Sequence, residues 1–340
     1  MICGVGILTD GGNVMAPKIS VVMPMYNVER YIELSIKTLL DQTFGDFEAI
    51  LIDDCSTDRT LEIAKSFSDR RIKIIENEKN LGHPGSARNV GLEHAVGEFV
   101  YFMDNDDILM PNCLETFINA IGDNDVVFDG AWIGAVNGDN PRLEELDCRV
   151  VRLDGGSTVS ADPKQRIWNE MVQHKMHVAP WLFFYRRTLL EKIRFPDCVA
   201  EDVFFMLDVL LATDRIVKIE EPVYIWRQRD QSASHAIERL KQNIEGAVRL
   251  SAYLEKKLAA FDDPMFVGNV IFEVVNGVMI EYLLKFYISE PAKAIEGTEE
   301  ALRPIFGDKT MFVANLIRAY MFQCVKDVRT KNDDKCNKQN

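Results

Sequence analysis

Three carboxylates crowd the stretch VYFMDNDDILMP, residues 100–111: Asp104, Asp106 and Asp107. They follow Val100, Tyr101, Phe102 and Met103, an apolar run that reads as a buried strand. Carboxylates that close raise one another's pKa unless something positive stands between them. A hard divalent cation meets that need, because Mg²⁺ takes oxygen ligands and often binds one or two carboxylates together with substrate phosphates. The bland alternative is a solvated loop with an Asp helix cap. Asp107 is expected to be such a cap for the next helix. A second acidic pair, Asp53-Asp54, stops the apolar run FEAILI at 47–52, with Asp58 close behind. A third, Glu201-Asp202, opens a helical pattern of Val203, Phe204, Leu207, Leu210 and Leu211, where a carboxylate also suits the helix dipole.

The elements around these groups alternate. ISVVM at 19–23, FEAILI at 47–52, IKII at 72–75 and EFVYFM at 98–103 read as strands. Helical patterns separate and follow them, at about 29–42, 58–68, 85–95 and 112–121. Such alternation implies a mostly parallel sheet with helices on both faces, and ligands bind such sheets outside the carboxyl ends of the strands. Polar residues gather at those ends: Asn27, the pair Asp53-Asp54, Asn80 with His83, and Asp104 with Asp106. The pattern breaks over 125–160, strands resume weakly at 181–185 and 216–227, and helix dominates from about 236 to 330. Gly82 and Gly85 are expected to serve backbone turns.

Composition narrows the classes. The 340 residues carry 39 Lys plus Arg against 53 Asp plus Glu, a net charge of −14. No nucleic-acid polymer is expected as partner, since phosphate contacts need clustered basic residues. A small nucleotide carried with a metal is not excluded. The seven cysteines form no Cys-x-x-Cys pair, so neither a zinc site nor a disulfide framework is expected, and a reducing cytoplasm is the simplest home. The start, MICGVGILTDGGNVMAPK, lacks a basic n-region and reads as a flexible leader over 1–17. The apolar segment 264–288 is interrupted by Asn269, Glu273, Asn276, Glu281 and Lys285, and reads as a buried helix or a subunit contact.

The motifs taken together resemble the family 2 glycosyltransferases, whose nucleotide-binding fold is called GT-A. They are SVVMPMYN at 20–27, LIDDCSTDRT at 51–60, NLGHPGSARNVGL at 80–92, YFMDNDDILMP at 101–111, PWLFFYRRTLLE at 180–191, FPDCVAEDVFF at 195–205 and PVYIWRQRDQSAS at 222–234. Each is weak alone, but seven in the family's order are specific. The resemblance implies an inverting transferase of the bacterial surface-polysaccharide type. Its GT-A domain would cover 18–235, with a nucleotide half over about 18–122 and an acceptor half over about 123–235. A helical region, 236–340, would follow.

By resemblance, Pro24, Tyr26 and Asn27 line the base pocket. Asp54, with Asp53 close behind, accepts a hydrogen bond from uracil or ribose, since a carboxylate only accepts. Arg88 reaches the ribose–phosphate region or the Asp104 cluster. Asp106 is the direct Mn²⁺ or Mg²⁺ ligand, and Asp104 binds ribose or a metal-bound water. Asp202 is the general base, and Glu201 belongs with it on the acceptor side. Trp181 floors the acceptor site, with core packing nearly as good a reading. Arg227, with Ser232 and Ser234, closes over the diphosphate, and His235 is a weaker candidate in that loop.

The resemblance further implies a nucleotide-sugar donor, first of all a UDP-sugar, and a glycan or lipid-linked glycan acceptor. A cytoplasmic protein is expected, with peripheral contact at the inner face of the plasma membrane left open. The C-terminal helices are open to docking on a membrane, on a second copy as a homo-oligomer, or on the catalytic domain. Two alternatives remain at this point: a catalytically inactive protein that only binds a nucleotide sugar or a partner, and a nucleotidyltransferase. The second would need a glycine-rich basic loop after the first strand, where this chain has PMYNVER.

Overall fold

The computed structural model describes residues 7–8, 14–135, 143–153, 159–173, 178–228 and 240–275. Most of the expected leader, Ser232, Ser234, His235 and the helices expected beyond 275 lie outside the described residues. The chain divides into two units, one of Met1–Asp197 with Glu201–Arg229, the other of Cys198–Ala200 with Asp230–Asn340.

The first unit opens with a two-residue pair, β1 Ile7–Leu8 and β2 Val14–Met15. Then come β3 Ile19–Met25, α1 Ile32–Leu40, β4 Phe47–Asp53, α2 Thr60–Lys65, β5 Ile72–Glu76, α3 Pro84–His94, β6 Phe99–Phe102, β7 Ile108–Leu109 and α4 Cys113–Ile121. The later part adds β8 Val126–Asp129, β9 Ala131–Ala135, β10 Cys148–Arg152, α5 Pro163–Ile167, β11 Phe183–Arg186, α6 Glu201–Ala212, β12 Ile216–Ile219 and β13 Tyr224–Arg227.

Seven strands form the main sheet in the order β12-β8-β11-β6-β3-β4-β5. Central β3 and β4 are buried along their whole length, as the unbroken apolar runs ISVVM and FEAILI require of strands covered on both faces. They run parallel to each other, and β6 and β5 run parallel on either side. Their carboxyl ends therefore share one rim. Helix α3 lies close on β3 and β4 because Gly91 has no side chain: a Cβ there would stand 2.3 Å from Val22 Cγ1.

The region where the sequence pattern breaks supplies strands to two sheets. β8 joins the main sheet, and β9 and β10 join a smaller one, ordered β10-β9-β13-β7. β11 was only a weak strand in the sequence, yet it sits antiparallel between β6 and β8. Aromatic packing holds it there. Phe184 stacks on Phe99 and Phe117, and Phe183 stacks on Phe128. A strand buried on both faces shows no alternation, which is why its signal was faint.

The second unit's described part holds α7 Leu240–Leu258 and a helix over 264–275. Leu250, Leu254, Leu258, Val270 and Val274 are buried, whereas Met265 and Phe272 are exposed. Among the described residues no helix is long and apolar enough to cross a membrane.

Asp129, at the end of β8, is fully buried, and burial pushes its carboxyl up to about 7. An unfolded Asp ionises near 3.9. Between about pH 4 and pH 7 the unfolded chain releases this proton while the native chain keeps it, so native stability falls as pH rises through that window and levels off above it. Asp129→Asn removes this titration. The melting temperature of the variant relative to wild type is expected to climb from pH 4 to pH 7 and then stay flat. A difference independent of pH in circular dichroism melts would contradict the assignment.

Candidate active site

The loops after β3 and β4 are laced together. Asn27 adopts φ +49°, and its Oδ1 accepts from Thr57 N at 2.8 Å. Val28 N donates to Thr60 Oγ1, and Glu29 N donates to Asp58 Oδ2. Asp58 also accepts from Thr60 N, so it serves the turn into α2. The lacing leaves the Tyr26 ring 47% exposed at the rim. Pro24 receives the Asn105 side-chain amide on its carbonyl, which ties the end of β3 to the loop carrying the three carboxylates.

The two aspartates ending β4 have different tasks. Asp54 spends both oxygens on the next loop: Asn77 Nδ2 donates to Oδ1 at 2.8 Å, and Leu81 N lies 3.0 Å from both oxygens. Asp53 accepts from Ser56 N through Oδ2, while its Oδ1 is buried and meets no hydrogen-bond donor among the described residues. Asp54, expected to serve the nucleoside ahead of Asp53, thus has both oxygens engaged within the protein. Asp54 is committed to shaping loop 77–82, in which Gly82 takes φ +84°.

Arg88 is the centre of the site. Its guanidinium is buried, donates through Nη2 to Asp104 Oδ1 at 2.8 Å and through Nη1 to Glu201 Oε1 at 3.3 Å, and lies over the Phe195 ring. Burial works against its charge, but Asp104 and Glu201 outweigh burial, and the pKa stays above the ordinary arginine value. One side chain thus binds the carboxylate cluster after β6 to the first residue of α6. Glu201 is accordingly engaged with Arg88 rather than offered to an acceptor.

Gly85 lets this happen. It is not a turn residue: it lies in α3, and a Cβ there would stand 2.5 Å from Glu201 Cγ and 2.8 Å from Phe195 Cβ. The same face of α3 is clamped by Asn89, which donates to Phe195 O and accepts from Phe195 N. Phe195 stacks on Phe205 of α6 at 3.9 Å. Asp202 follows Glu201 in the first turn of α6, partly exposed, with Oδ1 accepting from Val203 N.

Asp107 does not cap α4, whose N-cap position is Asn112. It is 1% exposed and accepts from the Tyr224 hydroxyl and from Arg227 N, each at 2.8 Å. Tyr224 in turn accepts from Asp104 N. Burial pushes the Asp107 carboxyl well up, and the charges of Asp106 and Asp104 add to that. Strand β7 intervenes between Asp107 and α4, and pairing of β7 with β13 brings Tyr224 and Arg227 to the carboxylate. Arg227 is buried, with its guanidinium over the Tyr31 ring.

Asp104 and Asp106 remain partly exposed at the rim. Among the described residues, no group of three or more His, Cys, Asp or Glu forms a complete metal cage. Two rim carboxylates are what Mg²⁺ or Mn²⁺ needs when substrate phosphates and water supply the other ligands. Burial raises the Asp107 carboxyl and the negative charges of Asp106 and Asp104 beside it add to the rise, a concentration of charge that a cation would relieve, so the residues fit such an ion.

Trp181 offers no open face. It is 4% exposed, stacked on Tyr224 at 4.3 Å and edge-on to Trp132. Core packing is its role, in place of the expected acceptor floor. The sequence reading passed over Tyr224, which no motif spacing distinguishes, and the Asn89–Phe195 clamp, which spans 106 positions.

A parallel-centred α/β sheet with carboxylates on its carboxyl rim is the architecture of the GT-A fold. The family profile described as Glycosyl transferase family 2 matches residues 20–194, and the chain belongs to that family. It is 32% identical over 192 residues to UDP-Glc:alpha-D-GlcNAc-diphosphoundecaprenol beta-1,3-glucosyltransferase WfgD of Escherichia coli, covering 56% of this chain and 69% of that one. A solved structure of Staphylococcus aureus TarS residues 1–349 with UDP-GlcNAc matches with a TM-score of 0.62 at 24% identity, covering 93% of this chain and 92% of that one. The mannosyltransferase PcManGT of Pyrobaculum calidifontis, solved with GDP-Man and Mn²⁺, matches with a TM-score of 0.50 at 19% identity, covering 91% and 86%. These two are likenesses of fold. The chain spans from 35% to 73% of the length of curated relatives it matches.

Gly85→Ala tests the close approach of α3 and α6. The added methyl is expected to lower stability by about 1–3 kcal/mol, read as a lower urea midpoint. An unchanged midpoint would show that the two helix starts separate without cost.

Proposed function

We propose that this glycosyltransferase moves a sugar from a UDP-sugar to a hydroxyl of a glycan or lipid-linked glycan acceptor, with inversion at the anomeric carbon. The observation that carries the reading is the Arg88 bridge. It fixes Asp104, on the donor side, against Glu201, the neighbour of Asp202, at the start of α6. Names of relatives support the donor and acceptor classes: WfgD uses UDP-Glc and a diphosphoundecaprenol-linked sugar, and TarS was solved with UDP-GlcNAc.

The residues divide the work. Tyr26 presents its exposed ring to the base, between the Pro24 and Asn27 ends of the first loop. The Asp53 Oδ1 oxygen accepts from the nucleoside. Asp106, with Asp104, holds the divalent cation, which when bound neutralises charge on the departing diphosphate. Arg227 is the cation offered to the diphosphate from β13. Asp202 takes the proton from the acceptor hydroxyl as that oxygen attacks the anomeric carbon. The hydroxyl attacks opposite the leaving group in a single displacement, so the product carries inverted configuration.

Two measurements test this. Asp106→Ala is expected to abolish Mn²⁺-dependent UDP binding in calorimetry while the circular dichroism spectrum stays native; equal affinity would remove Asp106 from the metal site. Asp202→Asn is expected to leave UDP and Mn²⁺ binding near normal and to slow sugar transfer by about 10²–10⁴-fold, the range for losing a positioned base. Transfer at the wild-type rate would reduce Asp202 to a helix-terminal carboxylate, and a product with retained configuration by NMR would refute single displacement.

A further inference from the structure

Tyr224 stands behind the carboxylate loop. That loop runs from Met103 to Asp107, and β3, α1 and β13 all hold it. Met103 N donates to Val22 O of β3 at 3.0 Å, and the Asn105 side-chain amide donates to Pro24 O. Ser35 Oγ of α1 donates to Asp107 O at 2.7 Å. Strand β13 contributes the Tyr224 hydroxyl, which accepts from Asp104 N at 3.2 Å and donates to Asp107 Oδ2 at 2.8 Å. A phenolic oxygen can donate and accept at once. One atom therefore holds both shoulders of the segment that carries Asp106.

The ring that carries this oxygen is fully buried and lies nearly parallel on Trp181, with 4.3 Å between centroids and 8° between planes. Trp181 is in turn held edge-on by Trp132. The Tyr224 backbone pairs with Leu109 of β7. A site keeps its geometry when the side chains supporting it are locked by packing, and this one is locked at ring and backbone alike. The grip on Asp107 is shared, because Arg227 N donates to the other oxygen of that carboxylate at 2.8 Å. Strand β13 thus stays fastened to Asp107 without the hydroxyl, whereas the contact of the hydroxyl with Asp104 N is lost with it.

We infer that Tyr224 is a positioning residue of the cation site, whose hydroxyl sets the backbone of the Asp104–Asp107 loop so that Asp104 and Asp106 share one divalent ion. Arg88 holds the Asp104 carboxylate and Tyr224 holds its backbone amide. The residue is thereby fixed at both ends by the protein and does not rely on the ion for its place. Removing a group that orients metal ligands from behind typically costs about 10–100-fold in metal affinity. The role deepens the metal-assisted reading of the site and rests on it.

The test uses the full chain and Mn²⁺. Electron paramagnetic resonance of free Mn²⁺ measures ion binding at saturating UDP, and calorimetry measures UDP without metal. Tyr224→Phe keeps the ring on Trp181 and removes the hydroxyl. It is expected to weaken Mn²⁺ binding about 10–100-fold and to leave the metal-free UDP affinity unchanged. Trp181→Phe trims the stack and keeps the hydroxyl. That variant is expected to melt at a lower temperature and to bind Mn²⁺ as wild type does. The role is refuted if Tyr224→Phe binds Mn²⁺ like wild type, or if its metal-free UDP affinity falls by the same factor. It is also refuted if Trp181→Phe loses as much Mn²⁺ affinity, because packing would then account for the effect. A Tyr224→Phe chain without a native circular dichroism spectrum refutes it too, since the hydroxyl would then hold the fold rather than the loop. Failure of the underlying reading is separate: wild type itself would then bind no Mn²⁺ beyond what UDP alone takes up.

Discussion

A guanidinium removed from water must be paired, and the site is arranged around that requirement. Arg88 is buried, and its partners come from segments 16 and 113 positions away along the chain. Leaving the buried arginine without its carboxylates, or the buried Glu201 without the arginine, would strand a buried charge at a cost of several kcal/mol. The pairing therefore sets the distance between the carboxylate loop and the start of α6. Gly85 and the Asn89–Phe195 clamp hold the backbone where the arginine needs it.

A second buried group completes the frame. Asp107 joins the loop of the main sheet to the small sheet through Tyr224 and the Arg227 backbone. Burial raises its pKa, and two accepted hydrogen bonds work against that rise. The neighbouring carboxylates thus play opposite parts. Asp104 and Asp106 stay at the rim, where a cation and a diphosphate have access, while Asp107 turns inward and fastens β13. That fastening holds both ends of β13, Tyr224 and Arg227, to one carboxylate.

The same logic separates Asp53 from Asp54. Loop 77–82 needs acceptors for Leu81 N and the Asn77 amide, and Asp54 supplies them. Asp53 is left with an oxygen that no described donor reaches. A buried acceptor without a donor is costly in a resting protein. This is the oxygen proposed above to accept from the nucleoside.

Much of this was legible in the sequence. The parallel strands announced themselves as unbroken apolar runs, the rim as polar residues at strand ends, and the family as seven motifs in order, because each of these is written in local periodicity and spacing. Local pattern also placed Glu201-Asp202 at the start of a helix. Tertiary structure alone decided which partners each member of an adjacent pair meets: Asp53 or Asp54, Asp106 or Asp107. Neighbours in sequence share composition and propensity, so nothing local tells them apart. What separates them is which one meets a partner brought from far along the chain, as Tyr224 is brought to Asp107 across 117 positions, and that partner is fixed only when the sheets assemble.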